Sequence, residues 1–296
     1  MSQTQKINVT GSARMSPTLA SVVFGVGSML LIALLWLGDH VVHGQFVMEV
    51  NNIDTVAAFE TKYLYGLLHL IALIPVLALS FDSKVHYYTR WKHLFPAMAV
   101  VGALFILWDI YFTQVGVWEF NSRYYASPKL LSLPLEEWLF FMSIPFAVIF
   151  IYECWTAYIQ KDWLASVEPY LTPFLIGLFL LVGFWHWGQI YTATTFLLTG
   201  LFLLYHYLYL PSDYRARFYI TYLISCIPFL LINGVLTGSL TEEPVVIYNP
   251  DEYLGIRIVT VPLDDAIYSF LLILSNLSLY EYFKRSDRRE KKFEKS

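Results

Sequence analysis

Four acidic residues stand where acid is expensive. Glu136 and Glu137 follow Pro134 and Leu135 and open a run of about fifteen mainly apolar residues, and Asp264 and Asp265 follow Pro262 and Leu263 in the same way. Burying an unpaired carboxylate costs several kcal/mol, so acids inside apolar segments are candidates for proton chemistry. The bland alternative is that each proline starts a helix whose dipole favours acids in the first turn. Repetition weighs toward function. Pro134, Leu135, Glu136, Glu137 and Phe140 match Pro262, Leu263, Asp264, Asp265 and Tyr268 at one constant offset, which also carries Tyr152 and Glu153 onto Tyr280 and Glu281.

A further acid precedes the first pair. Asp109 follows Trp108 in an otherwise apolar run, and Asp109 and Thr113 correspond to Asn233 and Thr237, each pair four apart and so on one helical face. A polar hydrogen-bonding group is wanted there, charged in one copy and neutral in the other. The offset is four residues smaller at this point, which places an insertion in the loop 239–257. Glu153 and Glu281 belong to the far ends of their helices, about 24 Å from the pairs at 1.5 Å per residue, and are expected to mark a boundary.

Other chemistries find little support. His40 and His43 are close together, but His69, His86, His93, His186 and His206 are scattered without a metal-type motif, and no metal site is expected. Gly25 and Gly27 lack the strand-turn-helix setting of a dinucleotide fingerprint. Cys154 and Cys226 form no disulfide framework.

The elements that must position these acids are membrane helices. Of the 296 residues, 57% are hydrophobic and only 14% charged, against about a quarter in soluble domains. The 18% aromatic content suits interfacial belts and a site for a large apolar or cationic ligand. Crossing a bilayer takes about 20 apolar residues. Eight such runs are expected, at 17–38, 62–81, 94–114, 136–154, 170–188, 192–210, 217–237 and 264–282; apolar length alone also allows seven, because little separates the fifth and sixth. The first is read as a retained helix rather than a cleaved signal. With eight, Lys6, Arg14, Lys84, Arg90, Lys92, Lys161, Arg215, Arg217 and the basic tail 284–295 fall on one side, leaving Lys62, Arg123, Lys129 and Arg257 opposite. The positive-inside rule then makes both termini cytoplasmic, and the tail reads as a flank beside anionic lipid, not a nucleic-acid site.

The expected fold is therefore an all-α integral membrane protein of about eight helices with a parallel internal repeat, its copies related by an axis along the membrane normal. The organisation is a tail, first helix and loop at 1–61, a first repeat at 62–160, a connecting helix at 161–191, a second repeat at 192–283 and a basic tail at 284–296.

The two acidic motifs, with Trp108-Asp109 before the first and the stretch from Asn233 to Gly238 before the second, resemble the membrane-embedded, heterodimeric-type lycopene cyclases in the form where both small subunits are fused. The likeness covers residues 62–283. It implies acid-catalysed cyclisation of linear carotenoid ends: protonation of a terminal double bond, ring closure through a tertiary cation, and loss of a neighbouring proton. Glu136, Glu137, Asp264 and Asp265 are the implied catalytic residues, with Asp109 as an additional acid or base. Adjacent helical positions point about 100° apart, so one member of each pair is expected to face the substrate, with preference for Glu137 and Asp265. Trp108, Trp138, Phe140, Tyr268 and Asn233 are candidates to surround the cation. The second copy departs by carrying aspartates, one methylene shorter than glutamates.

The resemblance implies lycopene taken from the bilayer, contact with membrane lipid, association with other carotenoid enzymes, and a bacterial inner membrane as the setting. No cofactor is expected, with a reduced flavin or nicotinamide requirement left open. A cyclase for an elongated carotenoid, a proton-coupled carrier and a scaffold protein are the competing readings; a carrier would show gradient-dependent flux.

Overall fold

A computed structural model describes residues 54–159, 161–211 and 213–293. Among them run seven α-helices: α1 (Leu64–Leu79), α2 (Trp91–Val115), α3 (Leu135–Tyr158), α4 (Glu168–Trp185), α5 (Ile190–Tyr209), α6 (Arg215–Leu236) and α7 (Leu263–Phe293). Three short strands lie between α2 and α3: β1 (Trp118–Phe120), β2 (Lys129–Leu130) and β3 (Leu133–Pro134). Three more lie between α6 and α7: β4 (Val246–Tyr248), β5 (Arg257–Ile258) and β6 (Val261–Pro262).

Five helical segments, Tyr87–Val115, Leu135–Tyr158, Glu168–Trp185, Arg215–Leu236 and Leu263–Arg289, are long and apolar enough to cross a membrane. Helix α1 is apolar but has 16 residues, about 24 Å. Helix α5 is polar for its length because Thr192, Thr194, Thr195, Thr199 and His206 lie on it, all buried. Its first half is enclosed by protein, where Thr192 bonds to Asp264 and Thr194 and Thr199 bond back to the helix carbonyls. The helix expected at 17–38, with His40, His43, Gly25 and Gly27, falls outside the described residues.

The strands explain how each acidic pair is aimed. Strands β2 and β3 form a hairpin that turns at Leu131 and Ser132, both at positive φ (52° and 77°), and β5 and β6 turn at Val259 (φ 60°). A β-branched residue rarely accepts that conformation. At the second turn Arg257 donates to the Thr260 carbonyl, while the Thr237 hydroxyl donates to the Thr260 hydroxyl at 2.8 Å. Each hairpin ends on a proline, and the helix begins at the next residue with its two acids in the first turn. Pro134 has the extended backbone of an N-cap (φ −63°, ψ 151°).

The same contacts recur in both halves, 128 residues apart. Tyr152 Oη donates to Glu281 at 3.3 Å and Tyr280 Oη donates to Glu153 at 2.7 Å. Asn121 N donates to Val245 O and Asn249 N to Val117 O, both at 2.8 Å. Strands β1 and β4 pair antiparallel about Glu119 and Ile247, themselves equivalent positions, so each strand binds its own counterpart. Among the helices, α1 packs on α3 as α5 packs on α7, and α2 crosses to α7 as α6 crosses to α3.

Candidate active site

Helices α2, α3 and α7 bring three carboxyls to one pocket beneath the β1–β4 ribbon: Asp109, Glu137 and Asp265 all line it. They come from both halves, so the two acidic motifs meet in one place. The cavity holds about 60 Å³, room for about two waters. All three acids are buried, with Asp109 only 2% exposed.

Aromatic residues hold these carboxyls. Tyr65, at the start of α1, donates its phenol to Glu137 Oε2. Tyr191, at the start of α5, donates to Asp265 Oδ1 at 2.6 Å, and Tyr248 on β4 donates to Asp265 Oδ2 at 2.8 Å. Both tyrosines at helix starts are placed by matching backbone bonds, Tyr65 N to Tyr124 O at 3.0 Å and Tyr191 N to Glu252 O at 2.9 Å. Low-dielectric surroundings first, and the charge of Asp265 second, push the Tyr248 phenol well above the ordinary tyrosine value, so it remains a donor.

The two sides of the pocket are not equal. Asp265 receives two phenols, whereas Glu137 receives one, because Phe120 stands where symmetry would put the counterpart of Tyr248. Asp109 accepts from Trp118 Nε1 at 2.6 Å through Oδ1, while Oδ2 is buried without a hydrogen bond of normal geometry, beside the Glu137 carboxyl. Across the pocket the matched position is Asn233. One side thus holds two carboxyls and fewer donors; the other holds one carboxyl, two phenols and an amide.

The remaining candidates divide clearly. Phe140, Tyr268 and Asn233 line the pocket. Trp108 lies behind it, its ring centroid 5.0 Å from that of Tyr268. Trp138 lies elsewhere, in a separate apolar groove between α2 and α3. Glu136 and Asp264 turn away and anchor loops. Glu136 accepts from Ala126 N at 3.1 Å and from the Ser127 hydroxyl, and Asp264 accepts from Thr192 Oγ1 at 2.6 Å and Leu254 N at 3.3 Å. Glu153, near the far end of α3, and Glu281 pair with Lys284 at 2.7 and 3.0 Å; α7 does not stop at the boundary expected near 282 but runs on to Phe293, so Glu281 lies within the helix.

Tyr65, Tyr191, Tyr248, Trp118 and Phe120 are pocket residues that the motifs alone did not single out. Aligning the two halves on their helix starts would have paired Tyr65 with Tyr191, since both open the helix that packs on an acidic one. Among the described residues no three His, Cys, Asp or Glu side chains are grouped to hold a metal.

The chain is similar in sequence to known proteins. The family model described as lycopene cyclase matches residues 62–155 and 188–283. A bifunctional lycopene cyclase/phytoene synthase from Phycomyces blakesleeanus is 36% identical over 112 residues, a stretch covering 37% of this chain and 18% of that protein. No solved structure matches.

Proposed function

The chain belongs to the lycopene cyclase family, and from that premise we propose that it converts the linear ends of lycopene to β-ionone rings at the single pocket shared by its two halves. The observation that carries this reading is the meeting of Asp109, Glu137 and Asp265 in one aromatic-lined cavity. Cyclisation needs an acid, a base and walls that tolerate positive charge without water. The unequal surroundings of the carboxyls support a division of labour. Asp109 and Glu137, two neighbouring carboxyls of which one oxygen, Asp109 Oδ2, lies against the other carboxyl, are the proton-donating side. Asp265, with a phenol on each oxygen, has the surroundings of an acceptor-only carboxylate.

In this mechanism a proton passes from the Asp109–Glu137 side to the terminal double bond. The next double bond closes the ring and leaves a tertiary cation, and a neighbouring C–H gives its proton to Asp265. One proton enters and one leaves, so the product is an isomer. Phe140 and Tyr268 offer ring faces to the cation, worth up to about 2 kcal/mol each when desolvated. Glu136 and Asp264 are positioning residues, because they fix the loops beside the pocket.

The same proposal includes eight membrane helices, the first at 17–38, a fused pair of parallel repeats at 62–160 and 192–283, and cytoplasmic termini in a bacterial inner membrane. The recurring hydrogen bonds and the β1–β4 pairing support the repeat. The basic residues near the Glu153 and Glu281 ends support the orientation.

The test is pigment analysis of lycopene-accumulating cells expressing the chain, its Glu137→Gln variant or its Asp265→Asn variant. Cyclic carotene of unchanged mass is expected from the wild type, and retained lycopene from both variants at equal membrane abundance. Unchanged lycopene beside folded wild-type protein would overturn the reading.

A further inference from the structure

The pocket at the acids is too small for the substrate it is proposed to serve. Pockets for small molecules measure about 300–1,000 Å³, whereas this cavity holds about 60 Å³. Most of a forty-carbon polyene must lie elsewhere. A second cavity, an open groove of about 330 Å³, runs between α2 and α3, the two helices that carry Asp109 and Glu137. Ala99, Gly102, Ala103 and Ile106 face it from α2, and Trp138 and Met142 from α3. The α2 residues follow the three-and-four spacing of one helical face. Small side chains leave the space, and methionine adapts to irregular apolar ligands.

The matching place in the second half is filled differently. Where α3 has Trp138 and Met142, α7 has Ala266 and Phe270, and where α2 has Met98, α6 has Tyr222. The Tyr222 phenol bonds to the Ala266 carbonyl, and its ring packs 5.0 Å from that of Phe270. The open groove therefore lies on the side that also carries the extra carboxyl, Asp109. These two departures from symmetry coincide.

Resting on the cyclase reading, we infer that the α2–α3 groove holds the polyene chain while one end occupies the acid pocket, so that the substrate approaches from the first half. The groove is a substrate-positioning surface, and Trp138, which sequence proximity alone would assign to the acids, is one of its walls. Its occupant is a conjugated hydrocarbon, because the groove is lined by apolar residues and opens from the same pair of helices as the proton-donating carboxyls.

The experiment measures lycopene carried by full-length protein purified from lycopene-making cells, in the catalytically disabled Glu137→Gln background. Ala103 is exposed at the groove, so Ala103→Trp fills the space without entering the core. It should lower bound lycopene per protein at least tenfold, as should Ile106→Trp. Leu104→Trp, on the same helix but outside the groove, should leave it within twofold. Equal lycopene in the Ala103→Trp and Leu104→Trp proteins would overturn the inference, and so would the absence of bound lycopene from the Glu137→Gln protein. Acyl lipid displaced in place of lycopene, read by mass spectrometry, would also overturn it. Failure of the cyclase reading is separate: it appears as a wild type that makes no cyclic carotene, while the retention assay still reports on the groove.

Discussion

Replacing Asp109 by Asn tests the division between the acids with the least disturbance to the fold. The substitution keeps size and shape, and the protein already accommodates an amide at the equivalent place, where Asn233 is buried on α6. The Asn side-chain oxygen can still accept from Trp118 Nε1, which now lies 2.6 Å from Asp109 Oδ1. What disappears is the second carboxyl beside Glu137. A positioned general acid contributes about 10²–10⁴ in rate, or about 3–5 kcal/mol of barrier at 1.36 kcal/mol per tenfold. Asp109→Asn should therefore lower kcat by about a hundredfold or more. Lycopene retention should stay within twofold, because the groove is untouched. The assay is cyclisation in proteoliposomes followed by chromatography of the carotenes, with thermal melting to compare folding. Asn233→Asp, which adds a carboxyl on the Asp265 side, should not replace the lost function. A purified Asp109→Asn protein that keeps more than a third of wild-type turnover would refute the assignment of the donor side.

Tyr248→Phe gives Asp265 the same number of phenols as Glu137, since Phe120 already fills the equivalent position. Losing a hydrogen bond to a charged group costs about 1.5–3 kcal/mol, so turnover should fall about ten- to a hundredfold, and unchanged turnover would show that the second phenol is idle. Because the Tyr248 phenol is pushed well above its ordinary value, its contribution should persist through about pH 10, seen as a constant ratio of wild-type to variant activity across a pH titration. Arg215→Met leaves Glu168 buried without its cation, in a pair whose side chains are 3% and 9% exposed. Breaking such a pair costs about 3–5 kcal/mol, so the melting temperature in detergent should fall clearly, and the double variant Arg215→Met with Glu168→Gln should recover part of the loss. An unchanged melting curve for the single variant would show that the pair contributes nothing.

The acidic motifs were legible because a repeated Pro-Leu-acid-acid pattern in an apolar chain has few structural uses. The 100° step along a helix also separated Glu137 and Asp265, which enter the pocket, from Glu136 and Asp264, which bind loops. The same step moves Trp138 off the pocket and into the groove, where sequence proximity to Glu137 is misleading. The β1–β4 ribbon was not legible: strands of three residues are too short to display alternation, yet their pairing brings Trp118 and Tyr248 over the acids. Tyr65 and Tyr191 escaped notice for a different reason. They lie 126 residues apart, not 128, so the offset that matched the acids passed over them. The helices were read from apolar length, which suits spans facing lipid. Helix α5 is enclosed by protein through its first half, where the threonines lie, and need not be apolar there, so they weaken the signal without weakening the helix.

Internal symmetry and acid-base chemistry pull in opposite directions at this site. Two equivalent halves meeting at a shared pocket deliver equivalent acids, and two identical carboxyls in identical surroundings have no reason for one to give a proton and the other to take it. The differences between the halves fall among the groups to which the proposed mechanism gives those roles. Asp109 faces Asn233, Phe120 replaces the counterpart of Tyr248, and Val246 stands in the position equivalent to Trp118, whose indole holds Asp109. Symmetry is kept where it builds the scaffold: in the Tyr152–Glu281 and Tyr280–Glu153 bonds, in the hairpins that aim the acids, and in the crossing of α2 onto α7 and α6 onto α3. It is broken among residues lining the pocket and again along the groove on α2 and α3. That distribution is what the proposed reaction, with one proton donor, one acceptor and one direction of approach, requires of two matching halves.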